Sequence, residues 1–248
     1  MNNFMRGTAY LLTSIPLLFT KGLKRFVLLP ILFNFALFIG LFFIGYHYLF
    51  PYTSFYLDQL PSWLNFLHSM FFVIFILGFF LIFLSMFMVI FNVIAAPFNG
   101  LLAEKAQTLF FHATTPPVSF AMIAWRSIKR QGQFLMYFIP RFLLMCLLFF
   151  VPFIQPIYPL LWFIFTAWML SMQYQDLVMD NNLISFQSMR KKTQFKKALL
   201  LGFGALINLL SFIPVLNIII MPAAVIGSVS MFHKEIQGIK KMKRSDSL

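Results

Sequence analysis

Charged side chains are missing from four long tracts of the chain, and apolar residues dominate each of them. The tracts cover residues 26–57, 59–103, 142–175 and 198–233. A helix that crosses a bilayer needs about 20 consecutive apolar residues, so every tract is long enough to contain one. From the first two tracts we predict membrane spans at residues 26–50 and 70–96, joined by an outer loop at residues 51–69.

Prolines divide the third and fourth tracts into short arms. The prolines within Pro152–Pro159 leave arms of about 10 and 16 residues, equivalent to helices of roughly 15 and 24 Å. A similar tip occurs at Pro214–Asn217 in the fourth tract. Apolar stretches of about 10–14 residues are typical of re-entrant segments rather than of full spans. The pattern therefore predicts two half-penetrating hairpins, at residues 142–175 and 198–233; six conventional spans are the alternative.

The remaining segments are basic. We predict an interfacial N-terminal segment at residues 1–25 with a short helix ending near Pro16, a basic helical section at 97–141, a connection at 176–197 and a basic tail at 234–248. Each carries a net charge of +3 or +4, whereas the outer loop carries −1. Positively charged segments stay on the cytoplasmic side, which predicts cytoplasmic termini and hairpins that open toward the cytoplasm. The predicted fold is a single all-α integral membrane domain, with two long transmembrane helices and two re-entrant helical hairpins.

Composition supports a membrane protein. The 248 residues are 61% hydrophobic and only 10% charged, whereas a soluble domain carries about 25% charged residues. The net charge of +13 is explained by basic residues that flank membrane segments and meet anionic lipid, so no nucleic-acid partner is predicted. Cys146 is the single cysteine, which excludes a disulfide within the chain.

Motifs of the common enzyme classes are absent. The sequence contains no G-x-x-x-x-G-K-[ST] phosphate loop, no H-E-x-x-H pair and no G-x-S-x-G turn. Its four histidines are scattered without the spacing of metal ligands. We therefore predict that the protein is not an enzyme and that it uses no cofactor and no metal.

The segment Gly22-Leu23-Lys24-Arg25 is the first candidate site. A helix beginning here offers backbone N–H groups and the positive end of its dipole, both of which favour an anion. Lys24 and Arg25 add two positive charges at the same end. Basic residues before any span also satisfy the positive-inside rule, and that remains the simpler interpretation of this short motif.

A second cluster of charged residues lies around the end of the second tract. We interpret it as a pathway or structural charge network formed by Asn99, Glu104, Arg126, Arg130 and Arg141. The chain has only six acidic residues, so we predict that Glu104 pairs with one of these arginines. A solvated basic helix on the cytoplasmic side is the alternative.

Longer motifs support a family resemblance. The most specific is Ala95-Ala96-Pro97-Phe98-Asn99-Gly100-Leu101-Leu102-Ala103-Glu104, and further matches are Gly22–Val27, Thr115–Pro117, Arg126, Lys129–Arg130, Pro140–Arg141, Leu161–Phe163, Ala167–Leu170 and Asp180–Asn181. On these residues the chain resembles the CysZ sulfate transporters of bacterial inner membranes.

The resemblance implies sulfate uptake for cysteine synthesis by a multi-pass, oligomeric protein of the bacterial inner membrane. It also implies a sulfate site at Gly22, Leu23, Lys24 and Arg25, where the family has a Gly-Leu-Arg-Arg-like motif. Lys24 keeps the charge of the first arginine but lacks its planar fork. The expected function is sulfate permeation, channel-like or ion-coupled, with sulfate, membrane lipids and further copies of the chain as partners. The alternative is a non-transporting scaffold that binds anionic lipid through its basic segments.

Overall fold

The computed structural model describes residues 2–49, 51, 55, 70, 73–74, 76–78, 80–81, 83, 98–113, 116 and 119–238. All regular elements in this part of the chain are helical, and no strand occurs in it, which confirms the all-α prediction. Most of the predicted outer loop 51–69, much of the predicted span 70–96 and most of the basic tail lie outside the described residues.

Eight helices are labelled here in chain order. They are α1 (Asn3–Ser14), α2 (Lys24–Ile44), α3 (98–111), α4 (Phe120–Phe149), α5 (Tyr158–Asn181), α6 (Phe186–Gln194), α7 (Lys197–Ser211) and α8 (Pro214–Met231). Short 3₁₀ turns follow at Pro16–Phe19 and Gln155–Ile157, and π-helical turns at Gly45–Leu49 and Phe232–Ile236. Serine side chains cap α4 and α6: Ser119 accepts the N–H of Met122, and Ser185 accepts the N–H of Ser188.

The chain divides into two compact units, Leu28–Ala96 and a larger one made of Met1–Val27 with Pro97–Leu248. In the smaller unit, Phe38 and Phe42 both pack edge-on against Phe83, with ring centroids 5.4 and 6.5 Å apart.

The larger unit has its core where α1, α5, α7 and α8 pack together. Glycines bring α1 and α7 into backbone contact: a Cβ on Gly7 would overlap the carbonyl oxygen of Leu199, and a Cβ on Gly202 would overlap that of Phe4. The N-terminal segment predicted to be interfacial thus contains a helix, ending at Ser14, that is docked on the core.

Two described helical stretches are long and apolar enough to cross a membrane, Trp125–Phe149 and Ile219–Ile236. Neither coincides with the two spans predicted from sequence. The predicted span at 26–50 is occupied by α2, whose 21 residues extend about 31 Å at 1.5 Å per residue. Most of Trp125–Phe149 is exposed on the monomer, and most of Ile219–Ile236 is buried in it.

Helix α4 does not stop at the start of the third apolar tract. It runs for 30 residues through Pro140 and across the predicted boundary between residues 141 and 142, so the first arm is longer than the apolar tract alone indicates. The sequence prediction took the arginines before that boundary as marking a separate section. They are instead accommodated on the same helix, where Arg126 and Arg130 contact α5 while Ile128, Leu135 and Met136 are exposed. The half-penetrating hairpins are therefore not confirmed.

Candidate functional site

The segment Gly22–Arg25 is a tight turn followed by the first residues of α2. Gly22 has φ of 98°, a left-handed conformation that side-chain-bearing residues rarely adopt. The N–H of Leu23 donates to the carbonyl of Thr20 over 3.1 Å, and the Leu23 side chain is fully buried. Lys24 and Arg25 are both exposed at the start of the helix.

These four residues therefore have different roles in the structure. Gly22 shapes the turn and Leu23 anchors it in the core, so the backbone N–H of Leu23 is not free for an anion, contrary to the prediction. The cationic side chains of Lys24 and Arg25 are exposed at the start of α2, next to its first N–H groups, which have no acceptor within the helix. An anion at this position would therefore meet mainly side-chain charge.

The charge network lies between α4 and α5. Arg126 and Arg130 are four residues apart on α4, and Asp176 and Asp180 are four residues apart on α5, so each pair occupies one helix face. Arg130 Nε lies 3.0 Å from Asp176 Oδ1 and 3.6 Å from Asp180 Oδ1. Arg126 Nη2 lies 2.9 Å from Asp180 Oδ1. Arg130 also donates to the carbonyl of Ile184 over 2.8 Å, which ties the network to the loop after α5.

Burial makes one member of the network titrate near neutral pH. Asp176 follows the predicted hairpin 142–175 and is buried. Burial raises the pKa of its carboxyl to about 7, against the opposing effect of the Arg130 guanidinium and with a smaller upward contribution from Asp180.

Glu104 is not the partner of these arginines. Among the described residues it forms no ion pair, because Asp176 and Asp180 take the places next to Arg126 and Arg130. Helix α3 instead reaches the end of α5 through neutral groups. Asn181 Nδ2 donates to the carbonyl of Gly100 over 2.7 Å, and Asn182 Nδ2 donates to Gln107 Oε1 over 2.7 Å. Asn99 and Glu104, both half-buried on this helix, thus lie outside the ion pairs.

Arg141 also stands apart from the network. Its guanidinium lies over the ring of Tyr137, with Cζ 3.6 Å from the ring centroid, and its Nη1 donates to the Tyr137 carbonyl over 2.6 Å. The guanidinium of Arg190, on α6, lies over the same ring at 4.7 Å. The structure therefore does not hold the five predicted residues together: Arg126 and Arg130 form ion pairs with α5, Arg141 stacks on Tyr137, and Asn99 and Glu104 lie on α3 outside both.

A further charge cluster joins the two ends of the described chain. Glu235 has a nearly buried side chain that accepts from Arg6, from the Tyr10 hydroxyl over 3.0 Å and from Lys196 over 3.3 Å. Burial and the neighbouring Glu235 carboxylate raise the pKa of Tyr10, so its hydroxyl stays a donor.

Residues 10–222 match the protein family described as Sulfate transporter CysZ/Etoposide-induced protein 2.4. The chain belongs to this family. It is 38% identical over 230 residues to the Sulfate transporter CysZ of Pectobacterium atrosepticum, covering 91% of this chain and 84% of that protein. Its identity to the Sulfate transporter CysZ of Salmonella typhimurium is also 38%, over 91% of both chains. For that of Vibrio parahaemolyticus, the identity is 36% over 96% of this chain and 98% of the relative.

Membership in the CysZ family makes the chain a membrane protein from a transporter family, not an enzyme family. It confirms the resemblance inferred from the sequence. The site predicted from the sequence omitted four side chains of the charged regions, namely Tyr137, Asp176, Asp180 and Arg190. The spacing of the two aspartates, identical to that of Arg126 and Arg130, is the signal that could have paired them.

Proposed function

We propose that this protein carries sulfate across the bacterial inner membrane into the cytoplasm, where it supplies sulfate assimilation and cysteine biosynthesis. The proposal is carried by 36–38% identity over at least 91% of the chain to relatives named as sulfate transporters. The exposed cations Lys24 and Arg25, at the start of α2, are suited to the substrate. Permeation is channel-like or ion-coupled, and the working form is a homo-oligomer embedded in membrane lipid.

The proposed site at Gly22–Arg25 favours sulfate over hydrogen phosphate. Its side-chain contacts are all donors: the Lys24 ammonium and the Arg25 guanidinium have no acceptor. Sulfate at neutral pH carries no proton, whereas hydrogen phosphate carries one that needs an acceptor. Where the bound oxyanion is shielded from water, leaving that proton unpaired costs about 1–3 kcal/mol, which corresponds to roughly a 5- to 150-fold preference for sulfate.

The decisive experiment is sulfate uptake into liposomes that contain only this protein. We expect uptake of labelled sulfate, with weak competition by phosphate. Arg25→Ala should abolish most of it, while Lys24→Ala should reduce it less because a flexible ammonium holds an oxyanion less rigidly. Lys21→Ala is the matched control, since it removes the same charge from an exposed position in the neighbouring turn. Absence of uptake by correctly folded wild-type protein would leave the lipid-binding scaffold as the function.

A proton gradient across the same liposomes separates the two modes of permeation. An ion-coupled carrier would accumulate sulfate above equilibrium when the gradient is imposed, whereas a channel would only equilibrate it. Cells whose other sulfate importers are absent should grow poorly on limiting sulfate when this protein is also deleted, and they should recover when cysteine is supplied. Failure of cysteine to restore growth would contradict the proposed role in assimilation.

A further inference from the structure

A cavity of about 550 Å³ lies between α4 and the start of α6, away from the Gly22–Arg25 segment in sequence. Its wall combines polar and cationic side chains with two aromatic rings and a methionine, and it is lined by Gln133, Met136, Tyr137, Arg141, Ser185, Phe186, Gln187 and Arg190. Neither acidic residue of the neighbouring charge network lines it. The cavity is therefore positively charged.

Two guanidinium groups share the Tyr137 ring in this cavity. The Cζ atom of Arg141 lies 3.6 Å from the ring centroid and that of Arg190 lies 4.7 Å from it, so the two guanidinium groups are close to each other. The ring attracts both cations through its quadrupole, but the two like charges repel each other. Among the described residues, no carboxylate forms an ion pair with either arginine. A negative group between them would offset this repulsion.

Arg190 supplies an independent sign that an acceptor belongs here. Its Nε atom is buried and makes no hydrogen bond to any described residue. A buried donor without an acceptor costs about 1–3 kcal/mol, and most such groups in folded proteins are satisfied. An oxyanion beside this guanidinium would accept from Nε and a terminal nitrogen together, in the bidentate geometry that arginine favours.

Contacts on two sides hold the Tyr137 ring in place. Trp168 Nε1 donates to the Tyr137 hydroxyl over 3.1 Å, and the Phe186 ring packs edge-on against Tyr137 with centroids 6.0 Å apart. Ser185 caps the nine-residue helix α6, and Phe186 and Gln187 are its first two residues. The first N–H groups of α6 and the positive end of its dipole therefore lie at the cavity wall. The amides of Gln133 and Gln187 add further donors.

We propose that this cavity is a second anion site, which binds a tetrahedral oxyanion in contact with the guanidinium groups of Arg141 and Arg190, beside the Tyr137 ring. The ligand chemistry is that of sulfate, found either as the free ion or as the similar phosphate of a lipid headgroup. The site does not depend on Lys24 or Arg25, nor on whether the protein transports sulfate.

The test measures binding to the full-length protein and leaves transport aside. Because Trp168 contacts Tyr137, tryptophan fluorescence reports on the cavity. In uncharged detergent, sodium sulfate is titrated into wild type, Arg190→Gln and Lys191→Gln, the last being a matched control that removes an exposed charge from the next position of α6. The same three proteins are placed in nanodiscs of phosphatidylcholine, with and without phosphatidylglycerol. Trp168→Phe identifies the part of the signal that comes from the cavity.

If the ligand is the free ion, sulfate changes the Trp168 signal in wild type, and Arg190→Gln weakens its binding at least tenfold while Lys191→Gln does not. If the ligand is a lipid headgroup, phosphatidylglycerol alone changes the signal, with the same dependence on Arg190. No response to either ligand, or equal responses in wild type and Arg190→Gln, overturns the proposal. Sulfate uptake into liposomes is scored separately, so a failed second site is distinguishable from a failed transporter.

Discussion

One backbone angle, the φ of Gly22, determines the conformation of the Gly22–Arg25 turn. The φ of 98° at Gly22 is costly for any residue with a Cβ. Space is not the reason, because a Cβ there would only reach ordinary contact with Leu109, at 3.8 Å. The glycine is thus required by conformation, and it allows Leu23 to enter the core while the next two residues stay exposed.

Gly22→Ala is expected to destabilise the protein by about 1–2 kcal/mol through backbone strain. Its thermal midpoint in detergent should fall relative to wild type. Gly132→Ala is the control, because a Cβ at Gly132 meets no atom within 4 Å and alanine favours the helix. Equal midpoints for Gly22→Ala and wild type would show that the turn tolerates a different conformation.

Asp176 makes stability depend on pH. Its pKa rises from 3.8 to about 7 in the folded protein, so between these values the folded state retains a proton that the unfolded state releases. The contribution of this group to the free energy of unfolding therefore decreases as pH rises through that window. Compared with Asp176→Asn, wild type should lose stability as pH rises from about 4 to about 7 and show no further difference above that, as judged by unfolding midpoints. The opposite sign of this difference would mean that the Arg130 pairing outweighs burial.

At the scale of elements, the packing of α1 on α7 depends on Gly7 and Gly202, each of which faces the backbone of the opposite helix. Gly202 and Gly204 both lie inside the continuous helix α7, where a Cβ on Gly202 would meet the backbone of α1 and a Cβ on Gly204 that of α5. Small residues permit such close approach, and spacing along one chain does not reveal which helix they face.

Gly202→Ala should push α1 away from α7, because the added methyl overlaps the Phe4 carbonyl. Overpacking of this kind costs about 1–3 kcal/mol. We expect a lower unfolding midpoint and faster proteolysis within residues 1–20, measured on purified protein. Gly132→Ala is again the control. Unchanged protection of the N-terminal segment would show that α1 is held by other contacts.

The sequence was sufficient for the all-helical class, the family and the location of charged clusters, because these depend on composition and long motifs. It did not identify the partners of those charges. Glu104 is the nearest acidic residue to these arginines in the sequence before them, yet the carboxylates beside Arg126 and Arg130 come from residues about 50 positions after the arginines. Pairing of that kind depends on which helices are neighbours, and hydropathy carries no information about it.

At the scale of the whole molecule, we retain the proposal that both hairpins enter the membrane from the cytoplasm without crossing it. From Arg141 to the end of α4 at Phe149 the helix extends only about 12 Å, at 1.5 Å per residue. That reach is well short of a hydrocarbon core of about 30 Å, if the Arg141 guanidinium remains at its edge. The second tip lies at Phe212–Ile213, after the 15 residues of α7.

Single cysteines at Gln155 and Phe212, in a Cys146→Ser background, test this topology. An impermeant thiol reagent added to intact spheroplasts should label neither, since both tips would lie within the membrane. Lys191→Cys should be labelled only after the membrane is opened, as the cytoplasmic control. Rapid labelling of both tips from outside would establish full spans, provided that the control is not labelled under the same conditions.

The cluster around Glu235 has a consequence for how the protein is made. Arg6 is separated from Glu235 by 229 positions, and the ribosome produces the first helix long before the carboxylate that receives it. During synthesis α1 has neither its charge partner nor the surface of α7 and α8 until those segments have emerged. We therefore expect α1 to dock late in assembly, and a chain interrupted before α7 to carry an undocked first helix that quality-control proteases are able to recognise.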